Sequence, residues 1–230
     1  MSMKRWMMIA ALAASSVGCV ANQGDAPVRL LDARRLTGTD GVCALGTTQL
    51  AAGQLDISGG SSYLLGLRVE TNTSSQELRL GSRLLSGGGL SDFIIQEIIV
   101  SYESQPSLPL PTEERIPVYA VFRPNTAAES GSFMVLYALG PKALEVLADS
   151  VSDEPVTVLA TIKAAGRFSG GQTAQTNEVI YPITIINSGF DPMTRTCLDP
   201  ALRPVTTGGS CGQVGQDNGP ICRVPPPAAP

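Results

Sequence analysis

Apolar and polar residues alternate through the middle of the chain. In residues 62–71 (SYLLGLRVET), Tyr63, Leu65, Leu67 and Val69 share one face, with Arg68 and Glu70 on the other. Residues 155–163 (PVTVLATIK) set Val156, Val158, Ala160 and Ile162 against Thr157, Leu159, Thr161 and Lys163. Residues 178–186 (EVIYPITII) align Val179, Tyr181, Ile183 and Ile185. Pro182 falls on their opposite face, and proline fits a sheet only at an edge or a bulge. Residues 93–103, 115–123 and 132–138 follow the same period, and residues 52–58 do so more weakly. Period two is the signature of a half-buried strand. About seven strands are therefore predicted, separated by clusters of Gly, Pro, Ser and Asn.

A helical spacing stands out in residues 140–149 (GPKALEVLAD). Pro141 suits a first helical position, and Leu144 and Leu147 lie three apart. Strands and helices do not alternate, which disfavours a parallel α/β sheet. The expected fold is all-β, an antiparallel immunoglobulin-like β-sandwich with one short helix and a loop-rich, disulfide-bearing C-terminal tail. A closed barrel is the second choice. The composition agrees: 24 Gly and 17 Pro supply turns, and the 43% hydrophobic content is ample for a core.

The N-terminus breaks the pattern. Lys4 and Arg5 precede an apolar run, residues 6–14 (WMMIAALAA), and small residues lead to Cys19. This is the layout of a secretory signal peptide, and it is too short for a membrane-spanning helix. Ser16-Val17-Gly18-Cys19 resembles a bacterial lipobox, although the residue three before the cysteine is Ser16 where Leu is usual. The lipobox resemblance implies acylation of Cys19 and a membrane anchor. The alternative is ordinary cleavage near Ala21 and a secreted, unanchored protein. Val20 is not the Asp that marks inner-membrane retention, so the resemblance implies the outer membrane. Residues 1–18 are thus expected to be a signal peptide, and residues 19–42 a lipidated cysteine with a flexible tether. The β-sandwich is expected over 43–197, and a Cys/Gly/Pro-rich tail over 198–230.

With Cys19 assigned to the lipid, Cys43, Cys197, Cys211 and Cys222 remain. Four cysteines in an exported chain read as two disulfides with three pairings open. The short spacing favours Cys211 with Cys222, which leaves Cys43 for Cys197. Zinc is disfavoured because there is no C-x₂-C spacing and the chain has no histidine.

The absence of histidine also removes the commonest general base. Lys142 and Lys163 lie outside any S-x-x-K pattern. The acidic pairs Glu113-Glu114 and Asp153-Glu154 sit beside prolines in predicted loops and read as solvated charges. Gly208-Gly209 and residues 86–89 (SGGG) read as turns, since no GK[ST] follows. Residues 216–219 (QDNG) lack the spaced acids of a calcium loop and read as a tight turn. Asn72-Thr73-Ser74 matches a glycosylation pattern with little weight in a bacterial chain. Tyr63, Tyr102, Tyr119, Tyr137 and Tyr181 read as packing residues. Net charge is −4, and loss of residues 1–18 would remove two bases and no acid, so nucleic acid is not an expected partner.

Cys43, residues 53–72 (GQLDISGGSSYLLGLRVETN), residues 161–185 (TIKAAGRFSGGQTAQTNEVIYPITI) and residues 211–222 (CGQVGQDNGPIC) together resemble surface lipoproteins of myxobacteria and related bacteria. The expectation is a lipid-anchored envelope protein, a non-catalytic structural or binding module without cofactor or metal. Its partners would be the membrane and an envelope protein or polysaccharide. The rival reading is an envelope hydrolase with paired carboxylates.

Overall fold

The computed structural model describes residues 26–39, 42–74, 79–80, 83–84, 91–125, 132–152, 154–205, 214–217 and 221–225. In chain order the strands are β1 (Val28–Thr39), β2 (Val42–Gln49), β3 (Gly53–Asp56), β4 (Leu64–Thr71), β5 (Arg79–Leu80), β6 (Arg83–Leu84), β7 (Phe93–Gln105), β8 (Glu114–Phe122) and β9 (Phe133–Tyr137). Helix α1 (Pro141–Ser150) follows. The remaining strands are β10 (Val156–Phe168), β11 (Thr173–Gln175), β12 (Val179–Ile186), β13 (Phe190–Asp191), β14 (Thr196–Cys197), β15 (Arg203–Val205) and β16 (Ile221–Arg223). One sheet runs β2-β1-β4-β9; the other runs β3-β12-β10-β7-β8, with β11 continuing along β10.

The alternating segments bury the faces their pattern assigns. Val156, Val158, Ala160, Ile162 and Ala164 of β10 are buried, as are Leu65, Leu67 and Val69 of β4 and Ile183 and Ile185 of β12. Together with Leu30, Met134, Leu136, Ile95 and Val100 they form one core between the sheets. Each Val, Leu, Ile or Met among them contributes about 1.5–3 kcal/mol by leaving water. The chain is an all-β sandwich with one helix among the described residues. Strands β12, β10 and β7 opposite β1, β4 and β9 have the order G-F-C against A-B-E of an immunoglobulin-type sandwich.

Pro182 pairs with Leu159 of β10, while β3 joins β12 only from Ile183 onward. The proline therefore occupies the stretch of β12 whose outer side is an edge, as expected. The β3–β12 pair is parallel, which departs from the wholly antiparallel expectation. Between Gln49 and Gly53 the chain crosses from one sheet to the other and meets β12 running the same way.

Two boundaries need correction. Residues 28–39, expected within a flexible tether, form β1, an interior strand between β2 and β4, so the sandwich begins near Val28 and not at 43. Two register shifts, between Leu30 and Ala33 and between Arg34 and Leu36, break the alternation. Val28, Leu30, Ala33 and Leu36 are buried, so the inward residues are spaced by two, then three, then three. The first shift inserts a residue in β1, where Leu30 to Ala33 faces Val69 to Leu67; at the second the extra residues belong to β2, where Leu45 to Gln49 faces Arg34 to Leu36. The inserted residue shifts the phase and breaks the period-two signal. The tail also departs from a solvated loop. Leu55 bridges to Gln216, and β16 pairs with β15, so parts of 214–223 belong to the folded unit.

Candidate functional site

Glu113-Glu114 is the carboxylate pair that catalysis would need, and β8 and α1 together decide its chemistry. Glu114 is buried, whereas Glu113 is exposed and accepts from Arg115 Nε at 3.0 Å. Helix α1 opens with Pro141, which has no N–H, so the orphan donors of its first turn are those of Lys142 and Ala143. Lys142 N–H donates to Glu114 Oε1 and Ala143 N–H to Oε2, both at 3.0 Å. The carboxylate caps the helix from a different element and meets the positive end of its dipole. Gly140 is required here, because a Cβ would lie 2.5 Å from Glu114 Oε2. Gly140 N–H donates to the Tyr102 hydroxyl at 2.8 Å. Burial raises the Tyr102 pKa; the Gly140 bond opposes the rise and the nearby Glu114 adds to it. Glu114 is thus a structural cap with both oxygens engaged, not the solvated charge expected.

A second polar cluster fastens the C-terminal tail to the sandwich. Asp56, fully buried at the end of β3, accepts from Ser58 N–H at 3.2 Å, Ser58 Oγ at 2.6 Å and Ser188 N–H at 3.0 Å. Its second oxygen accepts from Ser188 Oγ. The two serine oxygens in turn accept from Phe190 N–H and Cys222 N–H. Beside this hub, Gln216 accepts from Leu64 N–H at 2.9 Å and donates back to the Leu64 carbonyl. Asp217 Oδ1 accepts from Gln54 N–H and from the Tyr63 hydroxyl, each at 3.0 Å. Because Tyr63 spends its proton on Asp217, the Tyr181 hydroxyl donates to Tyr63 across 3.1 Å. Burial pushes the Tyr181 pKa up to about 12 and that of Tyr63 further still, with the Asp217 charge adding to both.

The disulfide differs from the favoured pairing. Cys197 is bonded to Cys222, with Cα atoms 5.7 Å apart, so neither Cys211–Cys222 nor Cys43–Cys197 forms. Sequence spacing cannot see that β14 folds back beside β13 while Cys222 is drawn to Ser188. Cys19 and Cys211 lie outside the described residues, as does the side chain of Cys43.

The other candidates are scattered. Gly208-Gly209, residues 86–89, Asp153 and Asn218-Gly219 lie outside the described residues, and Glu154 is exposed. Gln216 and Asp217 are tied into the fold and are not a simple surface turn. Asn72 is exposed at the end of β4, and Thr73 follows it half-buried. Lys163 pairs with Glu178 at 3.2 Å. Three tyrosines are buried as packing residues, but Tyr119 and Tyr137 are 78% and 49% exposed, which corrects the uniform packing role. Tyr137 borders an open groove of about 310 Å³ lined also by Ser61, Ser62, Ile116, Leu139 and Leu144. Asp56, Ser188 and Asn177 carry no sequence motif; their roles depend on partners more than 100 residues away. What these arrangements do chemically is fasten elements together and leave apolar surface near α1. No family model, curated protein or solved structure matches the chain, so the reading of its function rests on this geometry and on the sequence.

Proposed function

We propose that the chain is an exported, lipid-anchored β-sandwich that serves the bacterial cell envelope as a non-catalytic structural or binding module. The observation that carries this reading is the Cys197–Cys222 disulfide, which suits an oxidising compartment outside the cytoplasm. The basic start, the apolar run and Cys19 supply the matching export and acylation signals. Two or more acyl chains on one residue hold a protein at a membrane where one chain does not. Val20 and the resemblance to surface lipoproteins favour the outer membrane.

The use of three buried or half-buried acids supports the non-catalytic part. Glu114 caps a helix, Asp56 holds two serines and the tail, and Asp217 holds Tyr63. The hydrolase alternative needs two carboxyls free to reach one substrate. The groove at Tyr137 and the exposed Tyr119 and Ile180 offer contact surface for an envelope protein or polysaccharide.

Intact mass of the mature protein, made in a bacterium with the lipoprotein pathway, tests the anchor. The expected product starts at Cys19 and carries acyl mass, and Cys19→Ala abolishes the increment. An unmodified wild-type product refutes the proposal.

A further inference from the structure

The two sheets differ in width, and the difference leaves a gap. With β12, β10 and β7 opposite β1, β4 and β9, strand β8 lies beyond β9 and has no strand facing it among the described residues. Its inward residues show the consequence. Ile116, Val118 and Ala120 turn towards the core yet are only half-buried, whereas Ile95, Ile98 and Val100 on neighbouring β7 are fully buried. This apolar shelf is closed at one end by α1, which Glu114 caps, and at the other by the Thr71 hydroxyl, which donates to the Arg123 carbonyl. Beside its α1 end lies the groove at Tyr137, which Ile116, Leu139 and Leu144 also line.

The rim of β9 borders the shelf, and the ladder to β4 decides which of its groups are open. Val69 N–H donates to the Ser132 carbonyl and Ala138 N–H to the Tyr63 carbonyl, both at 3.0 Å. Hydrogen-bonded pairs alternate along an antiparallel ladder, so Met134 with Leu67 and Leu136 with Leu65 are the bonded pairs between them. Phe133, Val135 and Tyr137 therefore turn their N–H and carbonyl groups away from β4, and no other described residue meets them. Three donors and three acceptors stand in a row about 14 Å long.

The remaining rims are guarded. That of β3 is covered by Gly215–Asp217, β8 carries Pro117, which has no N–H, and the ladder of β2 is broken between Leu45 and Gln49. Strand β9 has no proline, no charge and no register shift, and such an edge accepts a further strand.

We propose that β9 takes up an extended segment of a partner protein as a fifth strand of its sheet, with alternate side chains of that segment covering Ile116, Val118 and Ala120. This rests on the binding-module reading above and names the partner's chemistry: about five residues of strand with small or branched apolar side chains at every second position. The rim supplies backbone hydrogen bonds and the shelf selects side chains. A saccharide has no row of amides to match the rim. A second copy pairing through its own β9 would bring its β7 into the space β8 already fills, whereas a lone strand fits.

The test uses the full-length protein with its disulfide closed and, as probe, a nonapeptide of alternating threonine and valine between terminal lysines. Binding is read by residue-resolved amide hydrogen exchange. At about ten times Kd the amides of Phe133, Val135 and Tyr137 slow about tenfold, while those of Met134 and Leu136, already bonded to β4, change little. Val135→Pro removes the central donor where a sheet edge tolerates proline, and Val118→Asp puts a charge on the shelf without touching β9. Each weakens binding by about tenfold or more, with circular dichroism unchanged. Rim amides protected without peptide mean that a segment of this chain occupies β9; protection that grows with protein concentration, with dimers in sedimentation, means that a second copy does. Either overturns the proposal, as do slowing at all five residues alike, no slowing, or peptide binding that both variants leave intact. Each of these failures leaves the envelope-module reading to its own test by acylation.

Discussion

Strands β1 and β10 are nearly equal in length, each lies inside its sheet, and they are held in place by different means. Strand β10 pairs along most of its length with β7 on one side and with β12 and β11 on the other, with one shift, between Ala165 and Gly166 in the β7 ladder. Its inward side chains are small or branched and interlock with the core without polar help. Strand β1 has one bulge of its own and faces another in β2, and side chains supply what its ladder lacks. Asn177 accepts from Leu30 N–H and donates to the Leu30 carbonyl, both at 2.8 Å, imitating a neighbouring strand. In the first bulge Asp32 accepts from Arg34 Nε at 3.0 Å and from Arg68 Nε on β4. Strand β10 is fixed mainly by its own backbone, with Thr176 Oγ1 accepting from Ala164 N–H at 2.9 Å where β12 gives way to β11, whereas the irregular β1 leans more heavily on borrowed partners.

Truncation in the regular strand is expected to cost most. Ile162→Ala removes a fully buried side chain from β10 and should destabilise the protein by about 2–5 kcal/mol in urea unfolding. A loss well under 1 kcal/mol would mean that β10 is not the core strand described. Asn177→Ala leaves the Leu30 amide and carbonyl without that partner and should cost about 1–3 kcal/mol. Hydrogen exchange should quicken at Leu30 while β10 stays protected; equal quickening in both strands would erase the contrast between them.

The smallest effect belongs to Asp32. Burial raises its pKa, but the guanidiniums of Arg68 and Arg34 outweigh burial and hold it below the usual carboxylate value. A carboxyl depressed in the folded state stabilises above its unfolded pKa of about 3.9, and the contribution disappears as pH falls through the folded value. Asp32→Asn should therefore lower stability at pH 7 by less than about 1 kcal/mol, in keeping with partly exposed pairs. In acid, once pH has fallen through that depressed value, the variant and the wild type should converge. Urea midpoints at both pH values check this, and a gap that widens in acid would assign Asp32 some other role.

Much of this arrangement is legible in the chain because alternation is a local property. Strands β4, β7, β8, β9, β10 and β12 and the weaker β3 appear where the pattern puts them, and α1 begins at the Pro141 that announces it. Strand β1 hides because a residue inserted between Leu30 and Ala33 shifts its phase, and the next inward residue, Leu36, again comes three positions on. Glu114 reads as a solvated loop charge because the amides it caps belong to an element 28 residues later. Tyr63 and Tyr181 reveal their inward faces by periodicity, but not the carboxylate of Asp217 that completes their chain of hydroxyls. The disulfide depends on which loops are brought together in space, and no count of intervening residues supplies that.

The tail contacts at β3 have a consequence for the order in which the protein can be completed. The outer rim of β3 is covered by Gly215–Asp217: Asp56 N–H donates to the Gly215 carbonyl and Asp217 N–H to the Gln54 carbonyl. An uncovered strand rim is a template for adhesion between chains. A chain threaded across a membrane from its N-terminus would deliver residues 215–217 and Cys222 long after β3, so β3 would stay sticky until they arrived. Closure of Cys197 onto Cys222 would then act as a latch, keeping the later-delivered piece over the rim it protects. A chain cut short before residue 214 would hold most of its core and still tend to clump.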